Sequence, residues 1–403
     1  MDILIRAGEM DAAAMACKCL LKLSPVDTDA YLDLSALECK RGNRKEARRI
    51  LERGINANPV IVRTCESTPY ARVLRVRGVQ NGYYTLGKSR NGDYKVKLRG
   101  GNLTDRYLTD FGRFQSVGFY LLDGNILEHP EIPKFDIILN MISDPDVELT
   151  SLHSLTKFTQ SRPHVPVINN PSQVALTSRD NNYQRFKDVE GVRYPKTIRF
   201  MAANAGIEDA VRAVEDSDFS FPLLVRETGT HTGRTFNRID NSEDFAVYFS
   251  RQQSANLYIT QYIDQPFRSE YFRKLRVFFV NGRIFPVVCH IDTVWNVHGG
   301  NRRDVMAKNG WMTDEERAFM NDCQAYLGKP QYEVLCGLYD EVDLDFFGVD
   351  FNVDENGHIV IFELNPAMRH SYDHADDFPY LAPHLHQITD AFNAMIDRKL
   401  GRD

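Results

Sequence analysis

The sequence contains no run of about 18 apolar residues, the length that a helix needs to cross a bilayer. It also has no excess of basic residues, since 49 Lys and Arg stand against 55 Asp and Glu and give a net charge of −6. A chain without a basic field is not expected to attract nucleic acid. These absences predict a protein that acts on neither a membrane nor a nucleic acid.

Cysteine is also used sparingly, with seven residues in 403 and no Cys-x-x-Cys pair. An odd number without paired spacing predicts neither a disulfide framework nor a zinc site and suits a reducing compartment. The start of the chain lacks the basic and then apolar pattern of a secretory signal. We therefore expect a cytoplasmic protein.

Residues 1–59 repeat with a period of 34, and four positions of the first copy recur in the second: Gly8, Ala13, Leu21 and Pro25 as Gly42, Ala47, Ile55 and Pro59. In each copy the glycine is expected to end one helix, the alanine to allow close packing of the next, and the proline to stop it. The period resembles that of tetratricopeptide repeats, with about one and a half copies present. So short a stack must lean on the following domain, a second chain or a peptide partner, and both dimerisation and peptide binding stay open.

From Ala71 onward, short β-rich runs at 73–77, 93–98 and 135–140 alternate with helix-length polar segments. This alternation predicts an α/β domain over 67–175. The run that begins at Val165 leads into a further region, which we divide into 176–260 and 261–403.

In that region, a buried strand delivers Arg226 at its end and runs into a loop of small residues from Gly229 to Gly233. The backbone N–H groups of such a loop can cover phosphate groups. It is not a Walker A loop, because its glycines enclose three residues and Arg234 stands where lysine is required. A plain surface turn is the alternative.

An Asn281-Gly282 pair predicts a hairpin over 271–286. Alternation places Lys274 and Arg276 on one face of its first strand. An exposed antiparallel face explains the two cations about as well as a functional site does.

A second Asn-Gly pair at 356–357 predicts another hairpin between apolar-rich runs. With a turn at this pair, Asp350 lies opposite Ile361, and Glu363 and Asn365 share its face. Carboxylates placed diagonally across a hairpin sit roughly 7 Å apart, close enough for a hard cation to bridge and costly to leave unneutralised. A few oxygen ligands suit Mg²⁺, whereas an ordinary acidic hairpin face is the other interpretation.

Five segments thus follow in order: Pro222-x-x-Val225-Arg226 with its loop, Gln261-Tyr262-Ile263, Arg276 on a strand, Gly348-Val349-Asp350, and Glu363-Leu364-Asn365-Pro366. This order resembles the ATP-grasp family over about residues 165–370. The resemblance implies a mixed α+β and α/β fold, in which a tetratricopeptide-like segment (1–59) and an α/β pre-ATP-grasp domain (67–175) precede the ATP-grasp fold. That fold would comprise a central subdomain (176–260) and a C-terminal subdomain with the Mg²⁺ and ATP site (261–403).

Carried over by position, the resemblance implies four groups of site residues. The nucleotide would meet Arg179, Arg226, Gly229, Thr230, His231, Thr232, Gly233, Gln261, Tyr262 and Ile263. Magnesium would be held by Asp350, Glu363 and Asn365, and the transferred phosphoryl group by Arg276 with Lys274. Trp295, His298 and His370 are substrate candidates. Related ligases often read Arg-Asp-Lys where this chain has Arg179-Asp180-Asn181, so Arg179 would replace the missing lysine.

The implied activity is an ATP- and Mg²⁺-dependent ligase that joins a carboxylate to an amine through an acyl phosphate, with ADP as product. Its substrate would be an amino acid, a peptide or a specialised metabolite, and a homodimer or peptide partner would use residues 1–59. A small-molecule kinase on the same fold is the second hypothesis. A nucleotide-binding repeat protein without catalysis is the third.

Overall fold

The computed structural model describes residues 1–63, 68–89, 91–127, 129, 132–230, 235–252 and 255–402. The chain forms two compact units, one of Met1–Ala175 with Asn393–Asp403 and one of Leu176–Phe392. Within the described ranges, no helix has the length and apolar character needed to span a bilayer.

The first unit begins with four helices: α1 (Asp2–Ala7), α2 (Met10–Leu23), α3 (Thr28–Lys40) and α4 (Arg44–Ala57). Gly8 and Gly42 follow α1 and α3 with φ values of 85° and 89°, where an L side chain would be strained. Ala13 and Ala47 are buried in the helices that come next. The helices therefore begin and end where the repeated positions predict, while their assignment to the tetratricopeptide class stays a prediction.

A five-stranded sheet follows, in the order β1-β5-β2-β6-β7, with only β1 antiparallel to its neighbour. The elements are β1 (Val60–Val62), β2 (Ala71–Gly78), β3 (Tyr83–Lys88), β4 (Tyr94–Arg99), β5 (Phe114–Leu121), β6 (Ile137–Asn140), α5 (Pro145–Gln160), β7 (Val167–Ile168) and α6 (Pro171–Val174). The predicted α/β class is confirmed, although strand β5 was not predicted from the sequence.

Strands β3 and β4 form a separate hairpin that supports the four helices. Tyr84 and Leu86 of β3 share one buried cluster with Ile5, Leu37 and Leu51 of the helices. The short helical stack thus leans on the domain that follows it in the chain.

The second unit contains two sheets. An antiparallel sheet has the order β11-β10-β12-β9, and a larger sheet has the order β13-β14-β16-β17-β8 with β15 paired to β14. The elements are α7 (Arg179–Phe186), β8 (Val192–Arg193), β9 (Thr197–Met201), α8 (Ile207–Asp216), β10 (Leu223–Glu227), β11 (Asn237–Ile239), α9 (Ser242–Arg251), β12 (Asn256–Gln261), β13 (Pro266–Phe267), β14 (Tyr271–Val280), β15 (Arg283–Asp292), α10 (Gly310–Asn321), α11 (Cys323–Leu327), α12 (Lys329–Val342), β16 (Phe346–Val353) and β17 (Ile359–Asn365). They are followed by α13 (Leu381–Lys399), of which only the part before Asn393 belongs to this unit.

The hairpin of β14 and β15 turns at the predicted pair. Asn281 and Gly282 have φ values of 48° and 78°, and Val280 pairs with Arg283 across the turn. A two-residue turn with both φ values positive matches the twist of the two strands. The predicted hairpin is confirmed here.

The hairpin of β16 and β17 has a longer turn than predicted. The Asp354 N–H donates to the carbonyl of His358 at 3.0 Å, and Gly357 has a φ of 82°. The Asp354 side chain accepts from the backbone N–H groups of Asn356 and His358 at 3.0 and 2.9 Å, which stabilises a three-residue connection. The predicted register, with Asp350 opposite Ile361, requires Asp354 to pair with Gly357 across a two-residue turn, so that prediction is wrong.

A bulge between Asp350 and Phe351 shifts the register once more. Asp350 consequently pairs with Glu363 rather than with Ile361. The two carboxylates lie directly across the ladder instead of diagonally, which brings them closer together than the sequence predicted.

The close approach of α3 and α4 at Gly54 leads to a stability prediction. A Cβ atom at Gly54 would lie 2.4 Å from the Cβ of Tyr31, which moves only with its helix. Gly54→Ala should therefore destabilise the first unit by roughly 1–3 kcal/mol, although alanine is the better helix former. The control is Gly337→Ala in α12, where an added Cβ meets nothing within 4 Å and should raise stability by up to about 1 kcal/mol. Urea unfolding measures both, and stabilisation by both substitutions would contradict the close packing.

Candidate functional site

Asp350 lies on β16 with a side chain that is only 2% exposed. Arg276 stands opposite it on β14 and donates two hydrogen bonds, from Nε to Oδ1 at 2.6 Å and from Nη2 to Oδ2 at 2.8 Å. Lys274 lies two residues away on the same face, with Nζ 3.3 Å from Oδ2. One buried carboxylate is thus shared by two cations.

The charges around Asp350 favour the ionised form of its carboxylate. Burial alone would raise the pKa of Asp350, but the charges of Arg276 and Lys274 outweigh it and hold that pKa well below its usual value. Burial opposes the charge of Arg276, yet Asp350 raises the pKa of its guanidinium. Asp350 and Arg276 are therefore an ion pair at neutral pH.

Glu363 faces Asp350 from β17. Its Oε1 accepts from Arg179 Nη2 at 3.0 Å and from Asn365 Nδ2 at 3.3 Å, while Asn365 Oδ1 accepts from the N–H of Ala367 at 2.7 Å. Burial favours a raised pKa for Glu363, but Arg179 lowers it by more than Asp350 raises it, and the net pKa lies below the ordinary value. The three predicted metal ligands thus lie together.

Arg179 is the first residue of α7, and its neighbour fixes the start of that helix. Asp180 accepts from Arg199 Nε and Nη2, both at 3.0 Å, and from the hydroxyl of Ser178 at 2.7 Å. Because Arg199 lies on β9, this ion pair ties α7 to the antiparallel sheet. Arg199 was not predicted, since no local sequence pattern links it to Asp180.

Arg226, near the end of β10, is buried and belongs to the same electrostatic group. Its guanidinium donates to the carbonyl of Thr230 and lies 5.4 Å from the ring of Phe236. Its charge contributes to the lowered pKa of Glu363. A fourth cation therefore acts on Glu363 through its charge.

The loop after Arg226 is described only in part. Gly229 has a φ of 66°, and the hydroxyl of Thr230 donates to the carbonyl of Glu227 at 2.6 Å. The predicted phosphate-covering residues His231, Thr232 and Gly233 lie outside the described residues. Their role stays a prediction.

The residues predicted to meet adenine come at the end of β12. The Gln261 N–H donates to the carbonyl of Lys196 at 2.8 Å, and Gln261 Oε1 accepts from the Lys196 N–H at 3.5 Å. Tyr262 and Ile263, which follow, are partly exposed. The predicted contact of these residues with adenine stays a prediction.

Trp295, a predicted substrate residue, lies among the predicted nucleotide residues. Its ring centroid is 5.9 Å from that of Tyr262 and 5.6 Å from that of Phe236, which in turn lies over Arg226. These contacts form a continuous series of aromatic rings from Arg226 to the end of β12. Phe236 was not predicted, because it lies three residues beyond the predicted loop, which ends at Gly233.

His298 and His290 both lie near Lys274. His298 has a pKa lowered by partial burial and by the charge of Lys274, and burial with nearby cations lowers that of His290 well below its usual value. His290 pairs with Lys274 across the ladder and was not assigned a role. The Asn-Gly turn alone would place Cys289 there, but a bulge next to Pro286, which lacks an N–H, shifts the register by one.

His370 lies elsewhere, in the core, with 3% exposure. Its ring meets Phe278 edge-on at 6.0 Å, and its Nε2 is 3.2 Å from Thr389 Oγ1. Burial lowers its pKa to about 4. Its predicted contact with substrate stays a prediction that this position does not support.

The oxygen atoms of Asp350, Glu363 and Asn365 are hard donors that suit Mg²⁺. Within the described part of the chain, no group of three or more His, Cys, Asp or Glu is arranged for a metal, so the set depends on Asn365 as its third member. Arg276 and Arg179 now neutralise the two carboxylates. The donors therefore fit Mg²⁺ when an anion draws these cations toward itself.

No protein-family model matches the chain, and no curated protein does. It is similar to the solved structure of the D-alanine–D-alanine ligase from Bacillus anthracis with ATP, at 12% identity over 80% of this chain and 98% of that one, with a TM-score of 0.43. The VanG D-Ala:D-Ser ligase from Enterococcus faecalis has 12% identity over 81% and 99%, with a TM-score of 0.45. The ADP complex of purK, an N5-carboxyaminoimidazole ribonucleotide synthetase, has 15% identity over 78% and 75%, with a TM-score of 0.47. The likeness is loose at these values, so we infer function from the side-chain geometry.

Replacing Asp350 tests the charge cluster itself. Asp350→Asn leaves Arg276 and Lys274 without their carboxylate and should destabilise the second unit by about 3–5 kcal/mol near pH 7. Because the folded pKa of Asp350 lies below the unfolded value of about 3.9, its contribution is present above that value and is lost as the pH falls. The difference from the wild-type protein should therefore shrink as urea unfolding is repeated from about pH 7 to about pH 3.

The control for this experiment is Asp304→Asn, whose side chain is 80% exposed in an ion pair with Lys308. It should change the free energy of unfolding by less than about 0.5 kcal/mol at every pH. A difference for Asp350→Asn that stays constant down to acid pH would contradict the ion-pair interpretation.

Proposed function

We propose that this chain is an ATP- and Mg²⁺-dependent ligase of the ATP-grasp type that joins a carboxylate to an amine through an acyl phosphate. One observation carries the proposal: two carboxylates that face each other across a ladder are contacted by three cations, and a fourth cation lowers the pKa of one of them. The cations are Arg179, Arg226, Lys274 and Arg276, and the carboxylates are Asp350 and Glu363.

The surplus of positive charge in this cluster favours a polyanion. Preorganised cations in a partly dry site stabilise phosphate oxygens more strongly than they would in water. As Arg276 and Lys274 turn toward phosphate, Asp350 loses their charge and its affinity for a cation rises. Asp350, Glu363 and Asn365 would then hold Mg²⁺, which would neutralise further charge on the phosphate oxygens.

The proposed reaction has two steps. An oxygen of the substrate carboxylate attacks the γ-phosphorus of ATP, the bond to ADP breaks, and an acyl phosphate forms. The amine nitrogen then attacks the acyl carbon, phosphate leaves, and the nitrogen gives up a proton. In this proposal Arg276 and Lys274 neutralise the transferred phosphoryl group, since such transfer depends mainly on positioning and charge neutralisation.

A small-molecule kinase would use the same cluster and stop after the first step. We favour the ligase because the order of the five sequence segments resembles ligases of the ATP-grasp type. Amino acids, peptides and specialised metabolites are the proposed substrate class. We disfavour a repeat protein without catalysis. Burying a carboxylate with two cations costs desolvation free energy, and a protein without a catalytic site would gain nothing from it.

Nucleotide binding should depend on magnesium through Glu363. Titration of a non-hydrolysable ATP analogue with and without Mg²⁺ should give tighter binding with the metal for the wild-type protein. Glu363→Gln should lose most of this increment, since an amide is a weaker ligand than a carboxylate. The control, Glu333→Gln on the exposed face of α12, should keep it. An unchanged increment in Glu363→Gln would refute the metal assignment.

Arg276 should matter more for turnover than for binding. Arg276→Lys keeps the charge but loses the two-pronged contact, and we expect a loss of about 10²-fold in kcat with a smaller change in nucleotide affinity. Arg283→Lys at the exposed end of the same hairpin is the matched control. Near-normal turnover of Arg276→Lys would contradict the assignment of Arg276 to the transferred phosphoryl group.

The product balance separates the two enzyme hypotheses. Wild-type protein is assayed for ADP and for phosphate with a panel of amino acids and dipeptides as carboxylates and amines. Equal amounts of ADP and phosphate, with an amide product, support the ligase. A stable phosphorylated product without phosphate release would establish the kinase instead.

A further inference from the structure

A cavity of about 330 Å³ lies in the first unit, where α1 and α3 meet strand β4. Its lining residues are Asp2, Ile5, Arg6, Asp33, Lys95, Val96 and Arg106. The volume is at the lower end of the range for small-molecule sites, roughly 300–1,000 Å³. It therefore suits a ligand the size of an amino acid or a dipeptide.

Charges of both signs line this cavity, and three of them form no ion pair with any described residue. Arg6 and Asp2 form an exposed ion pair at 2.8 Å. The side chains of Asp33, Lys95 and Arg106 make no hydrogen bond or ion pair with other residues that the structure describes, and Arg106 only lies 5.3 Å from the ring of Tyr107. Unpaired charges of opposite sign that line one cavity favour a ligand that itself carries both signs of charge.

Among these groups, the carboxylate of Asp33 has the least favourable surroundings for its charge. Burial, followed by the charge of Asp29, raises its pKa to about 6. The charge of the N-terminal ammonium group acts in the opposite direction but does not cancel this rise. A carboxylate that has lost water and makes no hydrogen bond or ion pair is destabilised, and a cation placed beside it would offset that cost. Asp33 thus favours an ammonium group, whereas Lys95 and Arg106 favour a carboxylate.

We propose that this cavity binds a small zwitterion, a free amino acid or a dipeptide, with its ammonium group on Asp33 and its carboxylate on Lys95 and Arg106. Ile5 and Val96 supply the apolar surface for the ligand's carbon atoms. The site is formed entirely by the first unit, and its evidence is independent of the charge cluster around Asp350.

The test is calorimetric titration of the full chain with alanine and with the dipeptide Ala-Ala. Alaninamide, which lacks the carboxylate, and N-acetylalanine, which lacks the ammonium group, are the matched ligands. We expect saturable binding of at least one zwitterion and at least about tenfold weaker binding of both blocked compounds. Absence of binding by both zwitterions up to about 10 mM would overturn the proposal.

Two variants locate the binding. Asp33→Asn and Arg106→Gln should each weaken it by about tenfold or more, whereas Arg99→Gln at the exposed end of β4 should leave it unchanged. Arg106 is exposed, so its variant decides the outcome if Asp33→Asn fails to fold. Binding that survives substitution of Arg106 would belong to another site, including the proposed ligase site, and would overturn the assignment.

Discussion

The buried carboxylate of Asp350 is the constraint on which the charged interior of the second unit depends. A carboxylate with this little exposure is destabilised by several kcal/mol unless cations and hydrogen bonds compensate for the lost water. Arg276 supplies a two-pronged contact because strand pairing places it directly opposite, and Lys274 adds a second charge from the same face. The pairing of β14 with β16 therefore both stabilises the buried carboxylate and places the two cations of the candidate site beside it.

This arrangement also explains how a site that attracts a polyanion can remain folded when no polyanion is bound. Glu363 is neutralised by Arg179, which α7 holds in place through the ion pair of Asp180 with Arg199. Each carboxylate has a cation as a partner in the free protein, and each cation has a phosphate as its partner in the proposed complex. The exchange needs only side-chain movement, so the strands can stay rigid while the charges are redistributed.

The fold was predictable where local rules decide it. Glycines with positive φ end the helices at Gly8 and Gly42, and the Asn281-Gly282 turn sets its own hairpin. Strand β5 was missed because Ser116 and Gly118 interrupt its apolar run. Its extended form depends on β1 and β2, which pair with it on either side, and Gly118 lies against the carbonyl of Ile61 in that ladder. Such pairing is a long-range effect that no short window of sequence contains.

The sequence by itself determined which residue types are available for the site, since the order of Arg226, Arg276, Asp350 and Glu363 along the chain was enough to group them. Only the tertiary structure decided which of them meet. A longer turn at Asp354 and a bulge after Asp350 moved Glu363 into direct register, and a bulge beside Pro286 brought His290 opposite Lys274. The physical reason is that side chains alternate with a period of two, so a shift of one residue at a turn or a bulge changes every partner beyond it.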